Sequence, residues 1–196
     1  MKKKIKNLTI WTLLVIMTFT LIGCSKTQSQ SDNEDVTEEA NQNQAYIEII
    51  NQTLDKCKKD YPNRDNYGMY GLYDFDQDDI DELFIKVYGR STSEDCIFAY
   101  DYEDNTPVLL GQFDAGHAWI SGVNEPNAVL YGYNAQGVSG WILMRYENGD
   151  FLSEPLAEYH PEGTSDSEPE EDPLSEMGYE ALDIKSYSLD DMSILY

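Results

Sequence analysis

Histidine, cysteine and basic side chains are all scarce in this chain of 196 residues. It holds two histidines and three cysteines, and its 13 lysines and arginines face 37 acids for a formal charge of −24. So negative a field repels phosphate backbones and anionic lipid heads, which argues against nucleic acid as a partner and favours cations, basic peptides or plain solubility. With His160 in an acidic stretch, a Ser-His-Asp or Cys-His arrangement would have only His117 as its base. There are no paired zinc-ligand cysteines, no His-Glu-x-x-His helix and no glycine-rich phosphate loop with its lysine. Gly137-Val138-Ser139-Gly140-Trp141 lacks the fifth-place glycine of a nucleophile elbow and reads as a turn. The acids are too numerous for any glycosidase-type pair to stand out. No self-similarity recurs at the period of propeller blades, which excludes a full propeller.

What is present begins with Lys2, Lys3, Lys4 and Lys6, followed by an apolar run from Leu8 to Ile22 and then Gly23-Cys24. A helix over that run would span about 22 Å, short of the roughly 30 Å hydrocarbon core, so it reads as a signal peptide, with an uncleaved signal anchor as the alternative. Leu21-Ile22-Gly23-Cys24 resembles a bacterial lipobox. The resemblance implies cleavage before Cys24, acylation of its thiol and a protein tethered by lipid to the outer face of a bacterial envelope. Cleavage would remove those lysines and no acid, leaving the mature chain more negative still. Cys57 and Cys96 remain; outside the cytoplasm they form either a disulfide or two buried free thiols.

Residues 24–43 are almost free of apolar side chains and read as a disordered tether, which leaves residues 44–196 as a single α+β domain. Ile47, Ile50, Leu54, Cys57 and Tyr61 fall at helical spacing, which predicts a helix from about Gln44 to Asp60, stopped by Pro62. Short runs rich in Tyr, Val, Ile and Phe then predict strands at Met69 to Tyr73, Leu83 to Tyr88, Cys96 to Tyr102, Val108 to Phe113, Ala118 to Gly122, Ala128 to Tyr133, Trp141 to Tyr146 and Phe151 to Ala157. Asn148-Gly149 marks a hairpin. The short gaps exclude parallel crossovers, so the expected fold is a helix packed on an antiparallel meander, as one sheet or a small sandwich. Residues 160–176 read as a disordered acidic loop, Leu182, Ile184 and Tyr187 as an alternating strand, and Asp190 to Leu195 as a last helical turn.

One loop carries chemistry. Asp74-Phe75-Asp76-Gln77-Asp78-Asp79-Ile80-Asp81-Glu82 puts carboxylates at positions 1, 3, 5 and 9, with the Ile80 carbonyl at position 7. Calcium takes about six to eight hard oxygens, and alternating acids on a curled loop converge on one point. The segment from Leu72 to Lys86 resembles the calcium loops of FG-GAP and VCBS-type modules and the Tyr-Asp-rich segment of Gram-positive surface lipoproteins. That resemblance implies Asp74, Asp76, Asp78, the Ile80 carbonyl and Glu82 as ligands of a structural calcium ion. It departs at position 6, where Asp79 replaces the usual glycine at a backbone site of positive φ. The competing reading is an acidic hairpin that binds nothing.

The 15 tyrosines, with Trp119 and Trp141, suit either a half-polar sheet or a platform on which sugars stack. The sequence therefore predicts a membrane-tethered, calcium-stabilised, non-enzymatic module that binds an envelope protein or glycan. A carbohydrate-binding module and a hydrolase using His117 are the rivals; the oligomeric state is left open.

Overall fold

The computed structural model describes residues 31–159 and 173–196. The signal segment, Cys24, His160 and most of the acidic stretch lie outside them. Helix α1, Ser31–Asp60, buries Tyr46, Ile47, Ile50, Leu54 and Cys57 along one face. It begins upstream of the expected Gln44, and Gln42, assigned above to the tether, is buried. The reason is a tertiary contact that the composition of the segment does not advertise, described with the site below.

Among the described residues ten strands follow, all paired antiparallel, in two sheets of five. The first sheet contains β1 (Gly68–Tyr73), β2 (Glu82–Val87), β3 (Cys96–Glu103) and β4 (Thr106–Asp114) as a meander, with β10 (Ser186–Ser188) on the free edge of β1. The second runs β8 (Asp150–Tyr159), β7 (Val138–Glu147), β6 (Ala128–Ala135), β5 (Ala118–Val123), with β9 (Ala181–Leu182) on the edge of β5. This is a β-rich sandwich and neither a closed barrel nor a propeller.

Strand alternation divides the first sheet between two cores. Tyr70, Leu83, Ile85 and Tyr102 face α1. From the opposite face, Phe84 and Ala99 meet Val129 and Met144 of the second sheet, with Phe75 inserted among them. Lys86 spans the gap, its Nζ donating to the Ala118 carbonyl at 2.6 Å, and burial there lowers its pKa. On the far face of the second sheet, Val123, Leu130 and Leu143 are covered by Leu174 of the short helix α2, Pro173–Glu176. Those four residues were expected within the acidic loop; Leu174, fully buried, instead packs them on the second sheet.

Two further expectations are corrected. The turn lies at Gln136-Gly137, with φ of 55° and 80°, and Val138 to Gly140 belong to β7, ahead of the strand expected from Trp141. Gly140 is needed in that strand because a Cβ there would lie 2.4 Å from the Tyr133 hydroxyl. The single C-terminal strand is instead two, β9 on one sheet and β10 on the other, since a chain crossing between sheets cannot continue one ladder. The hairpin at Asn148-Gly149 has positive φ at both positions, 55° and 86°. No helix among the described residues is long and apolar enough to cross a membrane.

Because Ile50 is fully buried between α1 and the sheet, Ile50→Ala should lower unfolding free energy by about 2 to 5 kcal/mol in urea titrations. A change below about 0.5 kcal/mol, the range of an exposed site, would show that α1 is not docked there.

Candidate metal centre

The acidic loop joins β1 to β2, so its two ends are fixed by a ladder in which Tyr73 opposes Glu82. Within it the carboxylates organise the backbone. Asp74 Oδ1 accepts from Gln77 N at 2.7 Å and Asp78 N at 3.1 Å, and Asp74 Oδ2 accepts from Asp79 N at 3.2 Å. Asp76 Oδ1 accepts from Asp78 N at 3.2 Å, and Asp78 Oδ1 from Ile80 N at 2.9 Å. These bonds curl the loop until oxygens of Asp74, Asp76 and Asp78 all lie within 4.8 Å of one another, a group that could hold a metal ion. Asp79 adopts φ 71°, the left-handed conformation for which glycine is usual, and Gln77 does so at 67°. Aspartate therefore fills position 6 with strain, not with a different backbone.

Glu82, placed at position 9 by the sequence, is not one of that converging group. It is fully buried at the base of the loop. Its Oε2 accepts from Phe75 N at 2.7 Å, while Oε1 has no hydrogen-bond partner among the described residues. Burial, followed by the charges of Asp76, Asp101 and Asp74, pushes its pKa up to about 9, against the lowering effect of the Phe75 bond. Asp76 and Asp81 are also raised, chiefly by burial. The Ile80 side chain packs against the helix-side core.

Three contacts that sequence reasoning missed hold the loop in place. Gln42 Nε2 and the Tyr46 hydroxyl both donate to the Asp81 carbonyl, at 2.7 and 3.0 Å. From the second sheet, Asn127 N donates to the Phe75 carbonyl at 2.7 Å. The Phe75 ring lies edge-on to Phe84 and Tyr146, with centroids 6.3 and 6.2 Å away. A lone glutamine in a polar stretch gives no periodic signal, so only the neighbouring Tyr46 could have hinted at this grip. Glu39, Gln42, Asn43, Asp74, Asp79 and Asp81 also line a cavity of about 400 Å³ between α1 and the loop.

The remaining candidates are scattered. Cys57 and Cys96 are free thiols, the first buried and the second half-buried, and burial raises both. His117 is exposed in the turn between β4 and β5, at φ 62°. Trp119 and Trp141 sit in one row across β5, β6 and β7 with Gly132 between them, their rings edge to face at 5.5 Å. Trp119 is 42% exposed and Trp141 half-buried. A Cβ on Gly132 would lie 2.5 Å from Trp119, so the glycine makes the pair possible.

Comparisons of the chain with protein-family models, with curated proteins and with solved structures give no match.

Relief of the strain at position 6 is directly measurable. Asp79→Gly keeps the backbone N–H that bonds Asp74 and removes one crowded charge, so stability in EDTA should rise by about 1 kcal/mol. Unfolding free energies of the two proteins check this, and an equal or lower value for the glycine variant would contradict it.

Proposed function

We propose that this protein is a lipid-anchored extracytoplasmic lipoprotein whose β-rich domain is stabilised by calcium in the Asp74 to Glu82 loop and serves as a non-enzymatic binding module. The observation carrying the metal part is the approach of three carboxylates to within 4.8 Å of one another. Bringing such charges together without a counter-ion is unfavourable, and hard oxygen donors on a flexible loop suit calcium better than magnesium, which demands a near-ideal octahedron. The anchor part rests on the sequence around Cys24 and the acidic balance of the chain. A tethered surface protein meets calcium outside the cell, and a loop affinity of about 10⁻⁴ M is ordinary for extracellular modules.

The role of the ion is structural. Its ligands sit on the loop between β1 and β2, which is held by Gln42 and Tyr46 of α1 and by Asn127 at the start of β6, and bound calcium would tie the loop to both. The half-exposed Trp119, edge to face with Trp141, supports a second reading in which the bound partner is a glycan laid on the aromatic row.

Thermal unfolding of the full chain in detergent, in EDTA and then in about 1 mM calcium, tests the metal. For a dissociation constant of about 0.1 mM the wild type should gain on the order of 1.4 kcal/mol. Asp76→Ala and Asp78→Ala should gain nothing, and a wild type indifferent to calcium would remove the metal from the proposal. Separately, Cys24→Ala should move the protein from the membrane fraction to the soluble or signal-retained fraction and abolish labelling by a fatty-acid analogue. Unchanged labelling would contradict lipid attachment at that residue.

A further inference from the structure

The loop does not contain all the carboxylates that surround it. In the β2–β3 ladder Leu83 opposes Tyr100, so the next step of the register sets Asp101 beside Glu82. Opposed residues share a face, and this is the face of Phe84 and Ala99, turned to the second sheet. Asp101 is half-buried there, and its Oδ1 accepts from its neighbour Tyr102 N. Its charge is felt by both Asp76 and Glu82, and Asp78 acts on it in turn. Glu103, two residues further along the strand, adds a like charge beside it. A strand removed from the loop in sequence thus sets a carboxyl beside Glu82, at the base of the loop.

A second, independent feature points to the same spot. Glu82 is completely buried, yet its Oε1 has no hydrogen-bond partner among the described residues. A buried carboxylate oxygen without a donor is destabilising by about 1 to 3 kcal/mol or more, and native folds keep such atoms where an ion or water satisfies them. The neighbours whose charge reaches Glu82 are Asp76, Asp101 and Asp74, all acceptors, so none of them satisfies it when ionised. A cation satisfies them together.

We propose that Asp101, carried by β3, is a further ligand of the cation held by the Asp74 to Glu82 loop, and that the free Oε1 of Glu82 turns to the same ion. The inference rests on the calcium reading of the loop and extends it from a local hairpin site to one that clamps two strands of the sheet. With Asp74, Asp76, Asp78, the Ile80 carbonyl, Glu82 and Asp101 each giving one oxygen, the protein alone supplies about six donors, the lower bound of calcium's preferred number. An ion so enclosed keeps few waters. That excludes magnesium, which sheds its waters reluctantly, and it admits a lanthanide, which shares calcium's taste for many oxygens.

The test uses terbium as a luminescent substitute for calcium in the full chain in detergent, comparing the wild type with Asp101→Ala, Asp101→Asn and Asp104→Asn. Asp104 lies exposed in the β3–β4 turn at φ 50°, a conformation asparagine tolerates, so its variant removes the same charge a few residues away. Calcium should displace terbium from the wild type. Lifetimes in light and heavy water should show about one additional bound water in Asp101→Ala, which leaves no oxygen there, while Asp101→Asn, whose amide oxygen is a weaker ligand, should weaken calcium by about tenfold or more. In EDTA the same variant should melt no lower than the wild type, since only a repulsive charge has gone, which separates lost ligation from lost folding. Asp104→Asn should change affinity by less than about threefold and leave the hydration number alone. A wild type that binds neither ion would overturn the calcium reading itself. A wild type that binds, with Asp101→Asn matching Asp104→Asn in affinity and Asp101→Ala matching it in hydration, would overturn the role of Asp101 and leave the loop standing.

Discussion

The hydrogen bond from Phe75 N to the buried carboxylate of Glu82 is the constraint on which the rest of this architecture turns. It ties the second residue of the loop to the last, closing the loop at its base. It also directs the Phe75 ring into the core between the sheets, against Phe84, Tyr146 and Phe151. The acidic segment is thereby anchored on both sheets: covalently through β1 and β2, and through the Asn127 N–H that meets the Phe75 carbonyl. A surface turn of this charge would ordinarily fray, whereas here its second side chain is 3% exposed. Burial of an aromatic of that size, worth about 1.5 to 3 kcal/mol, offsets the repulsion among the acids around it.

From that point the organisation spreads outward. The Asp81 carbonyl, just before Glu82, accepts from both Gln42 and Tyr46, so the helix is registered on the loop as well as on the sheet. On the opposite margin the C-terminal segment adds β9 to one sheet and β10 to the other and then returns Leu189 and Leu195 to the helix-side core. The Tyr70 hydroxyl donates to the Asp191 carbonyl at 2.7 Å and fixes that return. The two sheets are therefore joined at one end by the loop and at the other by the last strands. Between these ends the apolar contact is crossed by polar bonds from Lys86 Nζ to the Ala118 carbonyl, from the Tyr73 hydroxyl to the Val123 carbonyl and from the Tyr131 hydroxyl to the Asp114 carbonyl.

Much of this was legible in the sequence because local signals were strong. Runs such as Leu83 to Val87 and Ala128 to Tyr133 lie in observed strands, and the helical stripe Ile47, Ile50, Leu54, Cys57 is the buried face. The convergence of Asp74, Asp76 and Asp78 followed from their spacing alone. What escaped was non-local. Gln42 looks like tether because its partner is a carbonyl 39 residues away. The C-terminal strand splits because the choice between two sheets is made by the rest of the fold. Val138 to Gly140 looked like a turn because the glycine at 140 is required by the Tyr133 ring above it, which a local reading cannot see. Asp101 is invisible beside the loop until strand register brings it next to Glu82.

The source of charge compensation at the loop can also be argued from the basic residues. Ion pairs among the described residues join Lys56 to Asp60 and Arg145 to Glu125 and Glu154, and none reaches the loop. Arg145 is further engaged with the Tyr179 hydroxyl at 3.1 Å, on the far face of the second sheet. Lys86, the buried cation of the core, is committed to a carbonyl and lies toward Asp95. Among the described residues the ion pairs thus lie elsewhere, and the loop is open to neutralisation from solution, by protons or by a metal. Protons are the poorer choice. One on Glu82 relieves a single buried charge but leaves Asp74 and Asp78 to repel at close range, whereas one divalent ion among oxygens within 4.8 Å attracts all of them at once. The same geometry that makes the loop unfavourable alone is what would suit it to a multivalent cation.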